Sequence, residues 1–307
     1  MSLTEASLVA PAGRQSQTTS SQAPSRRSLL TGIATMLGSG VSNQVGAAVG
    51  SHAFPTIGPV GVVAVRQFVA AAVLVPLARP AFRRFTWAQW WPILLLGVVF
   101  AVMNIGLYSA IERIGLGLAV TLEFLGPLAV GLAGARGRLE LLCAVLAGVG
   151  VYVLILPGPS TDYLGIALGM LAAACWAAYI LLNRLLGTRL PGLQAPAAAT
   201  SVSALIYLPV AAVMMLNGQL GGVGLLYAAA AGLLSSVVPY VADLLALRRV
   251  SAPFFGVFMS VNPVLAALSG LLFLGQIPQL HEWIGIVIVV AANGCVTLAA
   301  ARRTRLA

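Results

Sequence analysis

Three ionisable side chains stand where lipid should be: Arg66, Glu123 and Asp243, each inside a long apolar run. A charge at membrane depth is expensive, so such a residue usually faces a cavity or a partner. Arg66 and Glu123 each lie about eight residues from the outer ends of their runs, roughly 12 Å deep at 1.5 Å per residue. Matching depth allows an ion pair between them. That pair is either purely structural or part of a site that takes a substrate or a proton, and the residues leave both readings open. Asp243 stands five positions before Arg248, and snorkelling to the inner interface is its expected role.

The neighbours of Glu123 matter as much as the acid. In Leu122-Glu123-Phe124-Leu125-Gly126-Pro127 a Gly-Pro step follows the carboxylate. Proline cannot donate to the backbone ladder, so carbonyls beside the acid lose their partners. Free carbonyls next to a buried acid suit an ammonium group; the plainer reading is a kink that shapes the bundle. Asn262-Pro263 repeats the pattern further on. A second tier is polar or aromatic: Asn43, Gln44, Asn104, Tyr108, Trp176, Tyr179 and Tyr240. Asn104 and Tyr108 are four apart and share a helix face, as do Trp176 and Tyr179 at three. Singly, such residues are interhelical bonds or packing; together they can line a polar pocket. Trp87, Trp90 and Trp91 read as an interfacial aromatic belt.

Other chemistries find no support. Cys143, Cys175 and Cys295 are far apart, with no CxxC or Cys/His spacing, so neither a disulfide framework nor a zinc site is expected. An intramembrane serine protease needs Ser and His facing each other at depth, and the two histidines, His52 and His281, sit at loop edges. The seven acids show no pairing for magnesium. There is no GxxxxGK[ST] loop and no Lys at all, so an in-chain ATPase is excluded. We expect no enzyme, no catalytic or metal-binding residues and no cofactor.

The elements that must position these residues are membrane helices. Of 307 residues 60% are hydrophobic and 8% charged, against about a quarter charged in a soluble domain. The expected spans are 29–49, 58–78, 92–110, 115–135, 139–157, 163–183, 195–216, 223–246, 253–275 and 282–301, joined at Gly and Pro. Residues 1–28 read as a disordered cytoplasmic tail. Ser25-Arg26-Arg27-Ser28-Leu29-Leu30 superficially matches a twin-arginine signal, but the apolar run behind it reaches Val49, too long for a signal core, so an anchor before the first span is expected. Residues 302–307 form a basic C-terminus.

Arginine placement tests this map. All seventeen basic residues are Arg, giving a net charge of +10. They form no basic face with interleaved aromatics, which argues against nucleic acid as a partner. The tail holds Arg14, Arg26 and Arg27; alternate loops hold Arg79, Arg83 and Arg84, then Arg136 and Arg138, Arg184 and Arg189, Arg248 and Arg249; the end holds Arg302, Arg303 and Arg305. With Arg113 on the opposite side and Arg66 inside a span, the positive-inside rule puts both termini in the cytoplasm.

An internal repeat is superimposed. Ala110-Ile111-Glu112-Arg113-Ile114 matches Ala246-Leu247-Arg248-Arg249-Val250, and at the same offset Pro127 meets Pro263 and Gly134 meets Gly270. Five spans per half is an odd number, so the second half inserts upside down, a frequent plan among secondary transporters. The fold class expected is therefore all-α integral membrane, ten transmembrane helices as two inverted five-helix repeats, 29–157 and 163–301. Gly46 and Gly50, Gly165 and Gly169, Ala144 and Gly148 lie four apart and should let helices approach closely.

At these residues the sequence resembles the drug/metabolite transporter superfamily, EamA-type, and within it most closely the bacterial inner-membrane threonine/homoserine exporters. The resemblance runs through Val65-Arg66, Met103-Asn104 with Leu107-Tyr108, Gly115-Leu116-Gly117-Leu118-Ala119-Val120, Leu122-Glu123-Phe124 and Gly126-Pro127-Leu128-Ala129-Val130. It continues in Ala174-Cys175-Trp176-Ala177, Tyr179-Ile180-Leu181, Pro239-Tyr240, Phe258-Met259-Ser260, Asn262-Pro263 and Leu274-Gly275, and covers about 29–301. It implies a ten-span bundle in the inner membrane with a central cavity, and export of small amino acids coupled to protons. Another metabolite or a cationic drug is the alternative solute. Glu123 is then the expected ammonium or proton partner and Arg66 its balance, with Asn104, Tyr108, Trp176, Tyr179, Tyr240 and Asn262 shaping the pocket. Gln276 and Asp243 depart from the family, which usually carries Glu at both places. The sequence leaves open whether the unit is a monomer or a homodimer.

Overall fold

In the computed structural model the described residues are 26–133, 138–156, 161–219, 221–247, 249, 255 and 258–306. They form helices and no strand. In chain order these are α1 (Arg26–Ser51), α2 (Phe54–Ala78), a 3₁₀ turn (Phe82–Arg84), α3 (Trp87–Ile114), α4 (Leu116–Glu123), α5 (Leu125–Ala133) and α6 (Arg138–Ile155). Then follow α7 (Tyr163–Gly187), α8 (Gln194–Ile206), α9 (Leu208–Leu216), α10 (Gly222–Gly232), a π-helical turn (Leu233–Val237), α11 (Val238–Leu247), α12 (Asn262–Leu274) and α13 (Leu280–Leu306).

Among these, six stretches are long and apolar enough to cross a membrane, and a seventh is the pair α8–α9, bent by 45° at Tyr207. The difference from ten spans has local causes. Helix α1 is long enough but carries Thr31, Thr35, Ser39, Ser42, Asn43 and Gln44, which dilute its hydropathy. Leu141–Ile155 and Asn262–Leu274 are apolar but short. Before Asn262 the expected ninth span, 253–275, lies largely outside the described residues. So do the tail through residue 25, the joint at 157–160, and Arg248 and Val250 of the repeat.

One boundary differs from the expected spans, and one anticipated kink takes a definite form. Phe54-Pro55 and Gly58-Pro59 do not form a loop: α2 begins at Phe54, and Gly58 turns the chain inside it at φ 65°, a conformation open to glycine. The run around Glu123 is broken at Phe124, between α4 and α5. Pro127 has no N–H to return to the Glu123 carbonyl, which is the physical reason for a break at this place.

The elements pack in a connected bundle. Helix α3 lies along α7 and α8, α2 along α10 and α8, and α1 along α10, the π turn, α11 and α12; α4 meets α12 and α7, α5 meets α7 and α13, and α6 lies along α13. Close approach uses glycine, as expected where lipid supplies no hydrophobic drive between helices. A Cβ on Gly46 would stand 2.3 Å from Ser235 Oγ, and one on Gly126 2.3 Å from the Ala173 carbonyl oxygen. Gly148, by contrast, faces open space, so the Ala144–Gly148 pair is not a helix contact. The central core joins Ala47, Ala48, Val62, Val65, Tyr108, Leu116, Val120 and Phe124. It backs the wall on which Arg66 and Glu123 stand.

The candidate solute cavity

A cavity of about 520 Å³ runs between α1, α2, α3, α4, α7, the π turn, α11, α12 and α13. The structure brings Glu123, Arg66, Asn104, Trp176, Tyr179, Tyr240 and Asn262 onto its wall. Tyr108 it does not: that ring is fully buried behind the wall. The Arg66 guanidinium lies over it, 4.7 Å from the ring centre, and Phe54 meets its edge.

Arg66 is only 6% exposed. Its Nη2 donates to the Ser235 carbonyl at 3.3 Å and to Ser236 Oγ at 3.1 Å, both in the π turn. Such a turn carries an i→i+5 ladder and frequently marks a functional position. The Arg66 Nε–H, buried, meets no acceptor among the described residues. The cation is thus fixed by the turn and by Tyr108, with bonding capacity to spare.

Glu123, also 6% exposed, ends α4. Its charge and that of Arg66 are near enough to act on each other, yet the ion pair that their matching depth allows does not form among the described residues. Among the described residues the one ion pair is Arg113–Asp162, at 2.9 Å near the protein surface. Glu123 receives no hydrogen bond there either, although it borders the cavity. A buried carboxylate without a donor or a cation is costly, and the cost is recovered when a ligand or a proton meets it.

The walls around these charges are aromatic and amide-bearing. Trp176 meets Phe124 edge-on at 4.5 Å, next to Glu123. Phe100 lies 5.5 Å from Tyr179 and 6.4 Å from Tyr240, closing one side. Asn104 donates from Nδ2 to the Phe100 carbonyl at 2.8 Å. Asn262 donates to the Met259 carbonyl and accepts from Gln44 Nε2, so α1 and α12 are linked behind the wall. Trp87 is exposed and Trp91 lies beneath the Arg189 guanidinium, while Trp90 packs against Phe82 and Phe85.

Several lining residues escaped the sequence reading. Gln67, Thr200, Asn293 and Thr297 are polar positions within apolar runs, a signal present but weaker than a charge. Ser39 and Asp243 were separated by chain distance. Asp243 does not snorkel out: it lines the cavity and accepts from Ser39 Oγ at 2.6 Å.

Known proteins place the chain. A profile of the EamA-like transporter family matches residues 163–298. The threonine/homoserine exporter RhtA of Salmonella typhimurium (strain LT2) is 34% identical over 268 residues, 86% of this chain and 90% of that protein. RhtA of Escherichia coli (strain K12) is 33% identical over 277 residues, 89% and 94% of the two chains. A crystal structure 18% identical in sequence superimposes with a TM-score of 0.59 over 90% of this chain and 98% of that one, a likeness of fold alone. A multi-pass helical membrane protein with a charged internal cavity, alike over nearly its whole length to these exporters, the chain belongs to the EamA-like transporter family.

Proposed function

We propose that this protein is a secondary exporter of small amino acids of the threonine/homoserine type, driven by protons through alternating access. The observation that carries the reading is Glu123: a buried acid bordering the cavity that finds neither a donor nor an ion-pair partner among the described residues, with the fixed Arg66 cation within electrostatic range. Glu123 receives the ammonium group or the proton, and Arg66 balances it. Asn104, Trp176, Tyr179, Tyr240 and Asn262 shape the pocket, and Tyr108 holds Arg66 in place from behind. That the relatives are threonine/homoserine exporters supports the substrate class.

The same reading takes the bundle as two inverted five-helix repeats of ten spans in the inner membrane, both termini cytoplasmic. Helix pairing supports it. If α1–α6 correspond in order to α7–α13, with α4–α5 and α8–α9 each one span, then α3 on α7 mirrors α10–α11 on α1, and α3 on α8 mirrors α10 on α2. The pairs α4–α12 and α6–α13 map onto themselves. The arginine bias supports the orientation. In such transporters the site lies between halves that rock about it.

One observation favours a second solute class. Among the described residues the cavity holds two carboxylates, Glu123 and Asp243, against one guanidinium, and its walls are aromatic, a setting that also suits a cationic compound. Efflux decides. Liposomes loaded with labelled threonine or homoserine should release either faster under an inward proton gradient. No movement of either from tight vesicles, with release of a lipophilic cation, would replace the amino-acid reading by the cationic one.

A further inference from the structure

The reading above leaves one acid of the cavity without a task. Asp243 stands on α11, and Ser39 of α1 donates to its Oδ1 at 2.6 Å, a bond between residues 204 positions apart. That length is typical of a charge-assisted O–H···O⁻ bond. An ionised carboxylate offers about four lone-pair sites, and among the described residues Ser39 supplies the one hydrogen bond. Among the described residues, the groups facing Asp243 come from several elements. Tyr240 comes from α11 and Tyr179 from α7, both within electrostatic range; α1 presents Ser39 and Asn43, and Phe255, Met259 and Ser260 complete that part of the lining. Arg249 turns back to the Leu245 carbonyl. No described cation is within ion-pairing distance.

The charges of the cavity then do not balance. Among the described residues Arg66 contributes one positive charge, Glu123 and Asp243 two negative ones, and a zwitterionic amino acid adds none. In a poorly screened interior the excess negative charge calls for a cation. With Arg66 assigned to the Glu123 level, the vacancy falls at Asp243.

We propose that Asp243 is the proton-carrying carboxylate of this exporter, distinct from the Glu123–Arg66 level that holds the solute, so that one proton enters for each zwitterion that leaves. The inference rests on the transport reading above. The step is a proton transfer alone: a carboxylate oxygen takes H⁺ from water on one side of the membrane and returns it on the other. Protonation converts the bond with Ser39 from charge-assisted to neutral, about half as strong. Because that bond ties α1 to α11, the proton state alters a contact between the two halves. Asp243 acts on transport through this contact rather than by touching the solute.

The test compares two modes in the same liposomes: counterflow of labelled threonine against unlabelled threonine, which needs no net proton movement, and net efflux with and without an inward proton gradient. Asp243→Asn should lose gradient stimulation while its counterflow stays within about threefold of the parent. Asp243→Glu should restore stimulation, and Ser39→Ala should move the pH at which stimulation is half-maximal. An Asp243→Asn protein that keeps full stimulation overturns the proposal. So does one that loses counterflow while remaining monodisperse and folded, because Asp243 would then belong to the solute site or the scaffold. A parent protein that exchanges threonine but ignores the gradient overturns the coupling reading and this inference together, whereas a failure confined to the variants leaves the exporter reading standing.

Discussion

Glu123→Gln separates a solute site from a structural ion pair, because the two readings demand opposite signs. The substitution keeps volume and shape and removes the charge. Were Glu123 present to neutralise Arg66, its loss would leave an uncompensated buried guanidinium and destabilise the fold by about 3–5 kcal/mol. The structure argues otherwise, since Arg66 is held by Ser235, Ser236 and Tyr108 and Glu123 by no hydrogen bond or ion pair among the described residues. The unliganded variant should therefore unfold at the same temperature as the parent or above it. Binding should suffer. Two unit charges about 4 Å apart at an effective dielectric near 20 attract by about 4 kcal/mol, and a glutamine carbonyl recovers part of that as a neutral bond. A net loss of about 2–4 kcal/mol corresponds to roughly 30- to 700-fold in Kd. Trp176 borders the cavity beside Phe124, so quenching of its fluorescence by threonine gives the assay, with the other tryptophans replaced by phenylalanine. A lowered midpoint of thermal unfolding together with a Kd within about threefold of the parent would refute the reasoning.

Three further outcomes follow from named contacts. Gly126→Ala places a methyl 2.3 Å from the Ala173 carbonyl; α5 and α7 must part, with an expected loss of about 1–3 kcal/mol and a widened cavity beside Trp176, read by thermal unfolding and by weaker threonine binding. Asp162 caps α7, and the Gly165 N–H, with Arg113 beside it, holds its carboxyl below the usual carboxylate range. Its contribution is present above the unfolded pKa and lost only as pH falls through the lower folded value, so Asp162→Asn should lower the unfolding midpoint by the same amount at pH 8 and pH 5.5. Gln276 Oε1 accepts from the Leu116 N–H at 2.9 Å, joining the start of α4 to the chain after α12. Gln276→Ala should lower stability by about 1 kcal/mol, and Gln276→Glu should raise it slightly, since a carboxylate suits a helix N-terminus.

How much of this was legible beforehand depends on whether a signal is local. Apolar runs and arginine spacing are local, and the helices at 54–78, 87–114, 163–187 and 194–216 lie close to where those runs placed them. Arg66 and Glu123 announce themselves because charge does not belong in lipid. Asp243 carried the same signal but stood near a basic loop, and only the folded chain brings Ser39 to it. The same holds for Tyr108: its spacing from Asn104 is right for a shared face, yet its ring is spent under Arg66. Hydropathy alone also understates α1, whose Ser39, Gly40 and Asn43 line the cavity.

The π turn at 233–237 has a meaning beyond the two oxygens it offers Arg66. It is a phase shift in the helix. Each residue of an α-helix advances the side chains by about 100°, and a turn closed by i→i+5 bonds takes up one residue more than an α-helical turn. The same sequence wound as plain α-helix would therefore swing everything after the turn around the axis by about that angle. Tyr240 and Asp243 face the cavity because the turn absorbs the extra residue. A single-residue deletion at Leu233 or Leu234 would let the segment close as regular α-helix and leave both side chains in phase. It would remove the widened turn whose Ser235 carbonyl and Ser236 hydroxyl hold Arg66, and the protein would become a well-assembled bundle with its acids in place and its cavity cation unheld.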